Sequence, residues 1–386
     1  MNTKVLHLVR ACLLLLSAAP ALAQSFSSGS TGADGPLNVT TKDVVLDVPP
    51  NGIFNFTTIN IASAYKVTFR RNAANTPVYF LASGNVTIAG SIYLDGSSGS
   101  GVTGGLAGPG GFDGGSPGSV GVLPGSGYGP GAGRGGSANT AADGAGGGSF
   151  STVGTGGNST GKGTIYANAL LIPLVGGSGG GGTSGTPGGG GGGGGGAILI
   201  ASTTRIDLAG IVGARGAGGS GGAYNGGSGG AIRLVAPIIA GAGSVSVDSP
   251  AGCGYGRIRV DAVDRSGMSF NFVAQSVTSV GSLMLVFPTP LPRLDILEAA
   301  GTTIAEGSGP VVLQLPFGSS PNRTIKVQAR DFNASVPITL VLTPDHGAPL
   351  TYTTKIDNTG TQNPATTSID VVLPINEQTT VNVYSK

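Results

Sequence analysis

Gly229-Gly230-Ala231-Ile232-Arg233-Leu234-Val235-Ala236-Pro237, followed by Gly243-Ser244-Val245-Ser246-Val247-Asp248, carries the architecture of this chain. Ile232 and Leu234 alternate with Arg233, so one face of a short strand is apolar and the other is polar. A glycine and a second apolar stretch then close the unit. The same unit occurs twice upstream. Pro77-Val78-Tyr79-Phe80-Leu81 closes with Gly90-Ser91-Ile92-Tyr93-Leu94-Asp95, and Ala197-Ile198-Leu199-Ile200 closes with Gly210-Ile211-Val212-Gly213-Ala214-Arg215. A fourth opening strand, Gly256-Arg257-Ile258-Arg259-Val260, follows downstream. Val78, Ile198 and Ile232 precede Ile92, Val212 and Val245 by nearly constant offsets. Such coils, each burying one side of short strands and turning at glycines, predict a parallel β-solenoid. Val44–Val48, Ile53–Ile61 and Lys66–Arg70 fit an earlier coil.

Residues 96–196 interrupt the pattern with 44 of the chain's 74 glycines and end in nine in a row, Gly188 to Gly196. Glycine loses more backbone entropy on ordering than any other residue, so this run must stay mobile or pack backbone on backbone. Glycine recurs every third residue at Gly105, Gly108, Gly111 and Gly114, but the phase breaks, which excludes collagen. The expectation is a long decorated loop, tethered in part by Thr164-Ile165-Tyr166 and by Ala169 to Val175. Phe287-Pro288-Thr289-Pro290-Leu291-Pro292 reads as a stiff linker. Beyond it, strand-like runs begin near 294, 311, 324, 338, 351, 366 and 379, which suggests an immunoglobulin-like β-sandwich.

The first 23 residues read as an export signal. Lys4 and Arg10 precede an apolar run from Ala11 that is too short to span a bilayer, and Ala21-Leu22-Ala23 offers a small-x-small cleavage site before Gln24. Cleavage would leave 18 basic and 18 acidic residues. A neutral chain argues against nucleic acid or an anionic membrane as main partner. Cys253 and His346 would be the remaining cysteine and histidine, so no intramolecular disulfide is expected. The chain end shows neither a hydrophobic tail nor a terminal aromatic, so release or non-covalent surface retention is expected.

Glycoside cleavage uses paired carboxylates, which makes the acidic residues the first candidates for chemistry. Glu298, Glu306 and Glu377 all fall beyond the linker. Asp261 with Asp264, and Asp43 with Asp47, are the nearest pairs within the repeats, and both are read as turn caps or solvent-facing groups. Arg257-Ile258-Arg259 resembles a polygalacturonase motif only superficially, and the other motifs of that enzyme type are missing. His346, in Pro344-Asp345-His346-Gly347, reads as a turn. Cys253 reads as a packed thiol. Gly110-Gly111-Phe112-Asp113-Gly114-Gly115 is a single unrepeated near miss to a calcium-binding repeat. Aligning the units places Tyr79, Leu199, Arg233 and Arg259 in one outward column, read as a solvated face, and Asp95, Arg215 and Asp248 in another, read as an inter-coil ion pair.

Asp34-Gly35-Pro36-Leu37-Asn38-Val39-Thr40, Pro49 to Thr58, Phe69-Arg70-Arg71-Asn72, the block Gly110 to Gly115, and Gly229 to Pro237 together resemble a group of uncharacterised, exported, glycine-rich bacterial proteins with a β-helical body. The resemblance covers roughly residues 30–265 and transfers no activity. The resulting expectation is an all-β protein: signal peptide 1–23, parallel β-solenoid 24–287 with a glycine-rich insertion at 96–196, proline linker 288–292, and immunoglobulin-like β-sandwich 293–386. No catalytic, cofactor or metal residue is expected. The expected role is a non-enzymatic secreted or cell-surface structural or adhesion protein, with extracellular polysaccharide or other surface and matrix proteins as partners. A carbohydrate-active β-helix enzyme, lyase or hydrolase, with a divergent site is the alternative.

Overall fold

The computed structural model describes residues 26–385, apart from 138–144, 155–160, 167, 186–187, 223 and 274–275. The expected signal segment 1–23 therefore lies outside the described residues. The protein is all-β.

Seven passes of chain build the first part. They comprise β1 (Gly35–Val39) and β2 (Val44–Asp47); β3 (Ile53–Ile61) and β4 (Lys66–Arg70); β5 (Val78–Ala82), β6 (Val86–Ile88) and β7 (Ser91–Tyr93); and β8 (Ala197–Ser202), β9 (Arg205–Leu208) and β10 (Ile211–Gly213). Then follow β11 (Ala231–Val235), β12 (Ile238–Ala240) and β13 (Ser244–Ser246); β14 (Gly256–Asp261) and β15 (Asn271–Phe272); and β16 (Ser276–Gly281). Every pairing among them is parallel. One column runs from the first half of β3 through β5, β8, β11 and β14 to β16, and a second runs from β1 through the second half of β3 to β6, β9 and β12. The third runs from β2 through β4, β7, β10 and β13 to β15.

The repeat units stack in the register their spacing predicts. Val78, Ile198, Ile232 and Ile258 are direct neighbours, as are Ile92, Val212, Val245 and Phe272. The inward side chains of all three columns meet in one core that includes Phe80, Ile198, Ile206, Val212, Ile232 and Ile258, each fully buried. Burying one such aliphatic side chain stabilises the fold by about 1.5–3 kcal/mol. Stacking like on like is what lets many short strands hold together.

The glycine-rich insertion is not a loose decoration. It leaves the body after β7, returns at β8, and packs as a bundle of extended segments. Gly188–Gly196 runs through the middle. The amides of Gly190, Gly193 and Gly196 donate to the carbonyls of Ser100, Ser97 and Leu94. Those of Gly191 and Gly194 donate to Gly115 and Phe112, and those of Gly192 and Gly195 to Asn225 and Ser228. Carbonyls behave likewise: Gly191 and Gly194 accept from Gly105 and Gly108, Gly189, Gly192 and Gly195 from Thr183, Gly180 and Gly177, and Gly190 and Gly193 from Ser220 and Ala217. Six segments thus surround the run, each meeting it every third residue. Three residues per turn without internal hydrogen bonds is polyproline-II geometry.

This packing explains the composition. A Cβ at Gly191, Gly192 or Gly193 would overlap the carbonyl oxygen of Gly180, Ala217 or Leu106, three different neighbours in three directions. A central helix enclosed on all sides therefore has to be glycine at every position. Gly105, Gly108, Gly111 and Gly114 belong to surrounding segments, where every third residue turns toward the central run and others, such as Gly104 and Gly115, meet a further segment just as closely. The entropy lost on ordering the glycines is offset by satisfied backbone groups on every side.

The bundle also covers the body. Phe150, Leu171 and Leu174 lie on the outward face of the first column, over Leu81, Leu199 and Val235. Met284, Val286 and Phe287 complete that cover.

The remaining strands are antiparallel. They are β17 (Arg293–Ala299), β18 (Thr302–Thr303), β19 (Asn322–Arg330), β20 (Ser335–Pro344), β21 (Leu350–Asp357), β22 (Ala365–Val372) and β23 (Thr379–Ser385). One sheet has the order β18-β17-β19-β22 and the other β21-β20-β23, around a core that includes Val327, Ile338 and Leu340. The run expected as a strand near 311 forms none: Val312 is 90% and Phe317 98% exposed. Pro310 and Pro316, which lack amide donors, bracket it. This module touches the bundle. The Gly347 amide donates to the Pro124 carbonyl, the Tyr128 hydroxyl to Asp345, and the rings of Phe112 and Tyr384 lie 6.3 Å apart.

Candidate functional site

The strongest concentration of buried charge lies on the outward face of the first column. Tyr79, Leu199, Arg233 and Arg259 are adjacent there in register, as the alignment predicts. They are not solvated, however. Arg233 is fully buried and Leu199 nearly so, because segments distant in sequence return to cover them. The alternation of a strand tells which residues share a face, and says nothing about what later packs on it.

Asp261, at the end of β14, organises this cluster. It is fully buried and accepts from Arg233 Nη2 at 3.3 Å, from Arg259 Nε at 3.0 Å and from the Leu283 amide at 3.0 Å. Arg233 Nη2 also donates to the Leu285 carbonyl at 2.6 Å. Residues 283–285 are therefore clipped to the sheet by the Arg233 guanidinium and the Asp261 carboxylate, which Arg259 braces from its other side. Burial pulls the Arg233 guanidinium below its ordinary value, and Asp261 opposes that shift. Burial likewise pushes the Tyr79 phenol up to about 12, against the influence of Arg233. The Tyr79 ring lies 5.0 Å from that of Phe287.

The acidic pairs separate in space or in task. Asp264 is exposed and caps its own turn, accepting from the Ser266 amide at 2.9 Å and hydroxyl at 2.7 Å. These bonds hold its carboxyl below the usual range. Asp43 and Asp47 pair with Lys66 and Arg70 on the neighbouring strand. Of the four carboxylates in these pairs, Asp261 alone is moved to the interior.

Other residues singled out in the sequence find plain partners. Arg215 bridges to Asp95 at 3.0 Å between successive passes, with its guanidinium 5.2 Å from the centre of the Tyr93 ring. Asp113 sits in a bidentate pair with Arg71 and also accepts from the Ala107 amide. That leaves the calcium near miss as an ion pair. His346 contacts Glu377 through Nδ1 at 2.9 Å, in the turn after β20. Cys253 is buried, its thiol pushed up to about 12 by desolvation.

Two concavities went unread in the sequence. An open groove of about 590 Å³ on the last module is lined by Glu298, Asn322, Arg323, Thr324, Asp370 and Val372 among others. A smaller one of about 210 Å³ lies beside Cys253 and Tyr255. Among the described residues no three His, Cys, Asp or Glu side chains gather as a metal site. Among them, too, no helix is long and apolar enough to cross a membrane. The chain matches no protein-family model, no curated protein and no solved structure.

Proposed function

We propose that this chain is an exported, non-catalytic structural or adhesion protein of the cell surface or its matrix. In this reading the three columns form a parallel β-solenoid, and the antiparallel module is immunoglobulin-like. The resemblance to exported glycine-rich bacterial proteins supports the location. One observation carries the role: the glycine insertion is hydrogen-bonded into the body on one side and supports the last module on the other. A chain that joins body, bundle and module so tightly is suited to holding one surface at a fixed distance from another.

The task assigned to the acidic residues agrees with this. Asp261 is committed to two arginines and Asp264 to a turn, so neither is free to serve as a general acid or base. The test is incubation of the protein with a panel of acidic and neutral polysaccharides, together with cell fractionation. Surface or medium location with binding and no cleavage is expected. New reducing or unsaturated chain ends would establish the carbohydrate-active alternative, and a cytoplasmic location would overturn the export.

A further inference from the structure

The Arg233–Asp261–Arg259 cluster is not electrically complete. Two guanidinium groups face one carboxylate in an interior where Arg233 and Asp261 are wholly shielded and Arg259 is 11% exposed. An arginine cannot shed its proton in a protein, so one positive charge is left over. The donors are incomplete as well. Arg233 Nη2 is used twice, but its Nε and Nη1 are buried without a hydrogen-bond partner among the described residues. Buried donors of this strength are nearly always satisfied. The neighbouring Tyr79 cannot supply the missing negative charge, since burial keeps its phenol protonated.

We propose that Arg233 binds a small monovalent inorganic anion of the halide class, held by Nε or Nη1 beneath the 281–287 segment. Water would satisfy the donors but leave the charge; an anion answers both. The Leu285 carbonyl and Leu283 amide that close this cluster belong to the segment leading into the last module. The bound ion therefore strengthens the attachment of that segment to the sheet. This site is independent of the surface role proposed above.

The experiment compares thermal unfolding of the full chain in sodium chloride and sodium gluconate at matched ionic strength. Chloride is expected to raise the midpoint saturably, by about 3–6 °C at a hundredfold excess over its dissociation constant. Arg233→Met, similar in length and without charge, is expected to lose that dependence. Crystals of the unaltered protein grown in bromide should show an anomalous peak within hydrogen-bonding distance of Arg233 Nε or Nη1, so the idea remains testable even if the variant does not fold. Equal midpoints in the two salts, chloride dependence surviving in Arg233→Met, or ordered water without bromide at Arg233 would each overturn it.

Discussion

Asp261 shows how far a side chain's role depends on what covers it. Replacing it by asparagine leaves two guanidinium groups facing each other in the interior, and breaking a buried pair in this way costs about 3–5 kcal/mol. Asp261→Asn is therefore expected to lower the unfolding midpoint markedly, whereas Asp264→Asn, at an exposed turn, should leave it nearly unchanged; urea titration of both variants checks this. Cys253 gives a pH expectation. Its thiol is raised from 9.0 to about 12, so the folded state holds the proton more tightly than the unfolded one. That contribution to stability is complete below pH 9 and is lost as pH rises from 9 to 12. At pH 8 alkylation by iodoacetamide should proceed only as fast as the protein opens, and a fast native reaction would contradict the burial. The alternation around Arg233 and Arg259 revealed their shared column, and the apolar run Ala169 to Val175 foretold the cover by Leu171, but that by Phe150 and Met284 has no local pattern to encode it.

Among the elements, the parallel strands were the most legible. Val78, Ile198, Ile232 and Ile258 repeat both a face and a spacing, and that pair of signals selects an in-register stack. Glycine has no side chain to form such a pattern. The period of three at Gly105 to Gly114 served only to exclude collagen, and the positions of the six neighbours depend on backbone contacts across the whole insertion. The bundle makes a sharp prediction. Gly192→Ala drives a methyl group into the Ala217 carbonyl and should destabilise by about 1–3 kcal/mol or more. Gly218→Ala meets no atom within 4 Å and has no left-handed backbone, so it should be neutral or stabilising by about 0.4–1 kcal/mol. Calorimetry of the two variants separates a packed bundle from a slack one, in which both would behave alike. The run near 311 has the apolar pattern of a strand but forms none, because alternation alone does not provide a partner edge.

For the whole molecule, the insertion behaves as a structural member that joins two other parts. Hydrogen exchange at Gly190–Gly196 is expected to be as slow as at β11, because these amides are buried and each is bonded to a different neighbour. Exchange within seconds would mean the run is not held. The last module rests on the bundle through Tyr384 and Tyr128, and burial raises both phenols. Tyr384→Ala is expected to loosen that seat, increasing the radius of gyration in solution scattering while the circular dichroism of the sheets is retained. An unchanged scattering profile would show that the seat does not depend on this ring.

The three-residue repeat of the central run has a genetic consequence. A duplication or deletion of nine bases within its codons shifts the run by one full turn, so every amide still faces a carbonyl. A change of three or six bases leaves the glycines in equivalent positions but turns the flanking residues by one or two thirds of a turn away from theirs. Length variants of this segment that keep the fold should therefore differ by triplets of residues, a rule of reading phase imposed by the packing of backbones.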